Sequence, residues 1–148
     1  MANHLLCDTC VIIDFINGRS QELANLLNED RILFINSIIE MELFQGARNK
    51  SELQTVEKRL ASFRLLMMQQ EIFDLATQFL KIYRLSHGLA LPDAIIGATA
   101  IYYQIPLLTY NTKDFRIYPI SNCILSVDVR RPSCLKTLLC SNVKTNGF

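Results

Sequence analysis

Most of the common catalytic signatures are missing from this sequence. It has no Gly-rich phosphate loop, no Walker-type motif and no Ser-His-Asp arrangement, and its histidines number two, His4 and His87. Charge of one sign is not in excess either. Fifteen Lys and Arg against fourteen Asp and Glu leave a net charge of +1, so no global basic surplus announces a polyanionic partner, although a local patch is compatible with this total. No Lys or Arg precedes the first apolar run in Met-Ala-Asn-His, which speaks against a secretory signal. Ala94 to Thr112 is the only uncharged segment of membrane-like length, and Gln104, Pro106 and Asn111 interrupt it. It reads as a buried helix followed by a buried strand. Internal repeats, low-complexity tracts and linkers are also absent.

What remains is one domain's worth of chain. At 148 residues with half of them hydrophobic, it is long enough for one sizeable core and too short for two. Five cysteines, an odd number without a secretory signal, point to reduced thiols in the cytoplasm. Cys7-Asp-Thr-Cys10 has the letters of C-x-x-C. A zinc site needs two more ligands, and Cys123, Cys134, Cys140, His4 and His87 are irregularly spaced, so core thiols are the better reading.

The apolar pattern alternates between strand-length runs and helical periods. Leu5-Leu6-Cys7 reads as a strand ending at Asp8, followed by a helix through Val11, Ile12, Phe15 and Ile16 that breaks at Asn17-Gly18. Ser20 to Leu27 is a short helix, Ile32–Ile35 a strand, and Ile38 to Ala47 a helix that Ser37 can cap. A further helix opens at Ser51, with Leu53, Val56, Leu60 and Phe63 on its apolar stripe, and Leu65–Met68 reads as a strand. Glu71 to Ser86 is a long amphipathic helix ended by His87-Gly88, and Leu91-Pro92-Asp93 starts a helix rich in small residues. Pro106–Thr109 and Cys123–Val127 are the last strands expected. The prediction is an α/β Rossmann-like fold with a four- to five-stranded parallel sheet covered by helices on both faces, comprising residues 1–130, with 131–148 an appended tail.

Four acids stand at comparable places in this scheme. Asp8 follows the first strand, Glu42 lies on the helix after the second, Asp93 opens the penultimate helix, and Asp114 follows the fourth strand. Parallel strands deliver such positions to one rim of the sheet. Each acid alone has an ordinary explanation, as an Asx turn, a solvated helix residue, a helix N-terminal acid or a turn former. Together they present a cost: carboxylates about 4 Å apart repel by about 4 kcal/mol per pair at an effective dielectric near 20. A hard divalent cation offsets that cost, and oxygen-only ligation favours Mg²⁺ or Mn²⁺ over zinc. Such a centre activates water and neutralises charge developing on a phosphodiester.

The segments Asp8-Thr-Cys-Val-Ile-Ile-Asp-Phe15, Met41-Glu-Leu-Phe-Gln-Gly-Ala47, Leu91-Pro-Asp-Ala-Ile-Ile-Gly-Ala-Thr-Ala100 and Leu108-Thr-Tyr-Asn-Thr-Lys-Asp-Phe115 resemble, in order and spacing, the motifs of PIN-domain ribonucleases. More closely they resemble the VapC-type toxins of bacterial toxin–antitoxin pairs, from about Leu5 to Tyr118. The resemblance implies a Mg²⁺- or Mn²⁺-dependent endoribonuclease that forms a homodimer and is blocked by a VapB-like antitoxin. Carried over by position, Asp8, Glu42, Asp93 and Asp114 are the catalytic, metal-ligating acids. Thr9 follows the first acid where the family places a hydroxyl, and Thr109 and Asn111 are groups that orient the last acid or a water. Cys10 stands where the family commonly has Ser.

Other residues carry weaker signals. Arg48 and Lys113 adjoin motif residues and are the candidates for RNA phosphate contacts, with a solvated surface as the ordinary alternative. Asp14 could be a fifth acid or pair with a base, Tyr102, Tyr103 and Tyr110 could stack nucleobases or pack in the core, and His87 could be a general base or complement a helix C-terminus. A catalytically silent PIN-like module that binds RNA or protein, and a DNA-directed nuclease or phosphatase using similar acids, are the competing functions.

Overall fold

The computed structural model describes residues 3–116, 124–127 and 135–136. Its elements are β1 (His4–Cys7), α1 (Thr9–Ile16), α2 (Gln21–Asn28), β2 (Ile32–Ile35), α3 (Ser37–Gly46), α4 (Lys50–Leu60), β3 (Arg64–Leu65), α5 (Gln70–His87), α6 (Leu91–Tyr103), β4 (Leu107–Thr109), α7 (Thr112–Phe115), β5 (Ile124–Val127) and β6 (Leu135–Lys136). The strands form one sheet in the order β3-β2-β1-β4-β5-β6, parallel from β3 to β5 and antiparallel between β5 and β6.

Leu5, Leu6 and Cys7 are buried one after another, and so are Leu107, Leu108 and Thr109. Successive residues of a strand face opposite sides, so the sheet is covered on both faces, as continuous apolar runs in a parallel sheet require. Chain order reverses at β1, whose neighbours β2 and β4 are reached by crossovers leaving in opposite directions. The crevice at the carboxyl end of such a strand is where open α/β sheets bind ligands, and Asp8 is the residue that lies there.

Core formation follows the sequence periods closely, with instructive exceptions. Residues Ala94 to Ala100 of α6 are all buried, so this helix is enclosed on every side and its small residues let neighbours approach. Gly88 ends α5 at φ 69°, the left-handed conformation that suits glycine, and its N–H bonds to the Arg84 carbonyl. The expected Ser37 cap is instead supplied by Asn36. Its backbone is still extended and its Oδ1 accepts from Ile39 N at 3.0 Å, while Ser37 is already the first helical residue. Similarly, Asn49 caps α4 through Glu52 N at 2.9 Å, so the helix begins at Lys50 rather than Ser51. Leu53 is exposed, because the first turn of α4 precedes its contact with the core at Val56; Phe63 is buried but lies beyond the helix end.

The apolar Leu65–Met68 run does not form the third strand as a unit. Arg64 and Leu65 pair with Phe34 and Ile35 at the sheet edge, Leu66 turns inward, and Met67 is exposed. Asp114, expected in a turn, belongs to the one-turn helix α7, which is anchored by the fully buried Phe115. β6 adds a sixth, antiparallel strand to the four or five parallel ones expected. The expected boundary at residue 130 and most of 131–148 lie outside the described residues.

Candidate active site

Asp8 is held from two directions. Its N–H donates to the Leu108 carbonyl at 2.9 Å, which continues the β1–β4 pairing one residue past Cys7↔Leu108 and brings it beside Thr109. As the N-cap of α1, its Oδ1 accepts from Thr9 N at 2.7 Å. Its Oδ2 accepts from the buried Thr109 hydroxyl at 2.6 Å and from the Cys10 thiol at 3.4 Å. Thr109 Oγ1 in turn accepts from Asn111 N at 2.9 Å, so the end of β4 and the start of α7 are tied to the same carboxylate.

The other expected residues join this frame. Thr9 Oγ1 donates to Glu42 Oε2 at 2.7 Å, linking α1 to α3 across 33 residues of sequence. Asn111 Nδ2 donates to Asp114 Oδ2 at 2.7 Å. Asp93, in the first turn of α6, has no hydrogen-bond donor among the described residues. Its carboxyl is pushed up from 3.8 to about 6, first by burial and then by the negative charges of Asp8, Asp114 and Glu42. A helix N-terminus favours a negative charge, and here burial and three acids outweigh it. The four acids expected from the sequence therefore face one another electrostatically.

Ion pairs among the described residues join Asp14 to Arg19, Glu29 to Arg31 and Glu52 to Arg48, and none reaches the four acids. Glu42 Oε1, Asp114 Oδ1 and both Asp93 oxygens have no protein donor among the described residues. The donor set is thus all oxygen and uncompensated, which fits a hard divalent cation. Among the described residues, no group of three or more His, Cys, Asp or Glu side chains is placed so that it could hold a metal ion as it stands. Glu42 and Asp114 are instead turned toward their hydrogen-bond partners.

Several residues with alternative readings have other partners. Cys7 is fully buried with its thiol pushed far up by burial, and Cys10 is pushed up to about 11 by burial and the Asp8 charge, so both are held protonated and poorly suited to soft-metal ligation. Asp14 pairs loosely with Arg19 at 4.0 Å. His87 Nδ1 bonds with Ser86 Oγ and its ring meets Tyr83 edge-on. Tyr103 donates to the Met67 carbonyl. Arg48 is mostly exposed beside Glu52, lining a groove of about 320 Å³ between α1, α3 and α4 that begins at Glu42. Lys113 is exposed on α7 next to Asp114.

Two contributors have no clear signal in the sequence. Asn36 reads there only as a strand-ending residue, yet it caps α3 and reaches α6 through Thr99 at 2.9 Å. Cys10 reads as a packing residue, and it also touches the Asp8 carboxylate. The sequence signals a cap at Ser37, whereas Asn36 provides it.

The PIN domain family model matches residues 5–120. The ribonuclease VapC19 of Mycobacterium tuberculosis is 30% identical over 118 residues, covering 77% of this chain and 94% of the relative. Ribonuclease VapC of Rickettsia bellii is 34% identical over 123 residues, covering 78% and 90%. In structure, the chain is similar to a toxin-antitoxin complex from Klebsiella pneumoniae, with TM-score 0.64, 32% identity, and coverage of 84% of this chain and 97% of that one. The order of the strands, the four acids on one rim and these similarities converge: the chain belongs to the PIN-domain family, within its VapC ribonuclease group.

Proposed function

We propose that this chain is an endoribonuclease toxin of a VapBC-like toxin–antitoxin pair that hydrolyses RNA phosphodiester bonds at the rim formed by Asp8, Glu42, Asp93 and Asp114. The observation that carries this reading is the state of Asp93, a half-buried carboxyl burdened by three other acids with no cation from the described residues opposite them. The names of the two ribonuclease relatives support RNA as the substrate, and the Klebsiella pneumoniae complex supports an antitoxin as the partner.

Mg²⁺ or Mn²⁺ held by the four acids would supply an activated water and stabilise charge developing on the phosphoryl oxygens. The protein's own groups set the stage for this. Thr109 and the Thr9 N–H fix both oxygens of Asp8, Thr9 Oγ1 orients Glu42, and Asn111 orients Asp114. Asp93 carries the least constrained carboxylate, and with its pKa raised to about 6 a proton competes with a metal ion for it below about pH 6. Arg48 and Lys113, both exposed near motif residues, are the proposed contacts for RNA phosphates. The described residues contain no helix long and apolar enough to cross a membrane, and the likeness to VapC-type toxins is what supports reading the protein as a cytoplasmic homodimer.

Induction in a bacterial host tests this reading. Wild type should arrest growth, Asp8→Asn and Asp93→Asn should not, and co-expression of the product of a small reading frame immediately upstream should restore growth. Arrest by Asp8→Asn at equal protein levels would instead favour a silent binding module.

A further inference from the structure

We propose that the buried hydrogen bond between Asn36 and Thr99 fixes the spacing of Glu42 and Asp93, so that Asn36 and Thr99 are positioning residues for the acid cluster. The inference rests on the assignment of those acids as metal ligands. Both polar side chains are fully buried, where burial is costly unless every strong group is paired. Asn36 Nδ2 donates to Thr99 Oγ1 at 2.9 Å, and Thr99 Oγ1 donates its single proton to the Ile95 carbonyl at 2.7 Å, so the hydroxyl can only accept from Asn36. Asn36 Oδ1 is engaged at Ile39 N, the cap of α3. One asparagine thus clamps the start of α3 and the middle of α6 together.

The two helices are in contact, and among the described residues this is the only side-chain hydrogen bond between them. Glu42 lies six residues after Asn36, and Asp93 six before Thr99. At 1.5 Å per residue each acid is about 9 Å along its helix from the bond. Glu42 is one of the three charges that burden Asp93, so before a cation binds the two helices carry like charges that repel. An apolar pair at 36 and 99 would fill the same space but would let the helices slide. A directional bond between two buried groups specifies one register, as buried polar pairs do in helical cores.

Binding of Mn²⁺ alone to the full chain, measured calorimetrically beside urea unfolding in EDTA, tests the proposal. Thr99→Val removes the acceptor, and Asn36→Ser keeps a capping oxygen while removing the Nδ2 donor. Each should weaken Mn²⁺ binding by about tenfold, the lower end of what supporting partners of metal ligands contribute. Thr99→Ser, which retains the hydroxyl, should restore wild-type affinity. If Thr99→Val does not fold, Asn36→Ser carries the test. Folded variants that lose urea resistance yet bind Mn²⁺ like wild type, while Asp93→Asn does not, would show a merely structural bond and overturn the proposal. Wild-type affinity in Asp93→Asn would overturn the metal-site assignment and this inference with it.

Discussion

Replacing Asp93 by asparagine should stabilise the metal-free protein while abolishing its activity. The carboxyl is raised from 3.8 to about 6 by burial and by Asp8, Asp114 and Glu42. At 1.36 kcal/mol per pKa unit, that displacement corresponds to about 3 kcal/mol against the charged form. Asp93 is only half-buried, and solvent screening reduces the effective cost to about 1 kcal/mol. The sign follows from linkage. The folded-state pKa lies above the unfolded one, so the folded protein holds more protons between about pH 4 and pH 6, and stability falls as pH rises through that window. An asparagine side chain carries no charge and escapes this loss. In EDTA at pH 7.5 the melting temperature of Asp93→Asn should exceed that of wild type by about 2–4 °C, and the gap should close near pH 4. Saturating Mn²⁺ should reverse the order, because only the wild type gains ligand-binding stabilisation. A variant that melts at or below wild type in EDTA at pH 7.5, or a gap that persists unchanged at pH 4, would refute the electrostatic reasoning.

Three further outcomes are expected from the same geometry. Thr109→Val removes the 2.6 Å donor from a buried Asp8 oxygen and the acceptor for Asn111 N, and should cost about 1–3 kcal/mol in urea unfolding together with a fall in RNA cleavage rate. Thr9→Val frees Glu42 and should reduce cleavage by about 10- to 100-fold with a smaller change in melting temperature, whereas Thr9→Ser should remain close to wild type; single-turnover cleavage and thermal melts check this. Mn²⁺ affinity should drop by about tenfold per pH unit below about 6, as Asp93 takes up the proton that the ion must displace, and titration calorimetry from pH 5 to 7.5 would reveal it. A flat profile over that range would show that Asp93 does not control binding.

Which parts of this molecule can be read from sequence depends on the range of the interactions involved. Helical periods and apolar runs reveal the alternation of elements because each is a local property, and the parallel sheet then brings Asp8, Glu42, Asp93 and Asp114 to one rim with no knowledge of their contacts. Of the groups expected to orient the last acid or a water, Asn111 does bond Asp114, three residues on, but Thr109 holds the first acid, Asp8, instead, and hydrogen bonds of that range are beyond reach. Thr109 meets Asp8 across 101 residues and Asn36 meets Thr99 across 63, distances over which no sequence spacing carries information. Thr99 looks like one more small residue in a helix of small residues, and only enclosure of α6 on every side makes its hydroxyl consequential. The choice of Asn36 over Ser37 as cap turns on where β2 stops, and boundaries are set by sheet pairing rather than local preference. At the sheet edge, Leu66 turns inward and Met67 is exposed, so the contiguous Leu65–Met68 run misplaces the third strand.

The most direct test of the four-acid centre is cleavage of purified RNA by the purified, EDTA-stripped protein, with and without Mg²⁺ or Mn²⁺, beside Asp8→Asn. Cleavage should be absent in EDTA, return when either ion is added back, and be absent from Asp8→Asn under all of these conditions. Undiminished cleavage in EDTA, or cleavage by Asp8→Asn equal to wild type, would contradict a metal centre built on these acids.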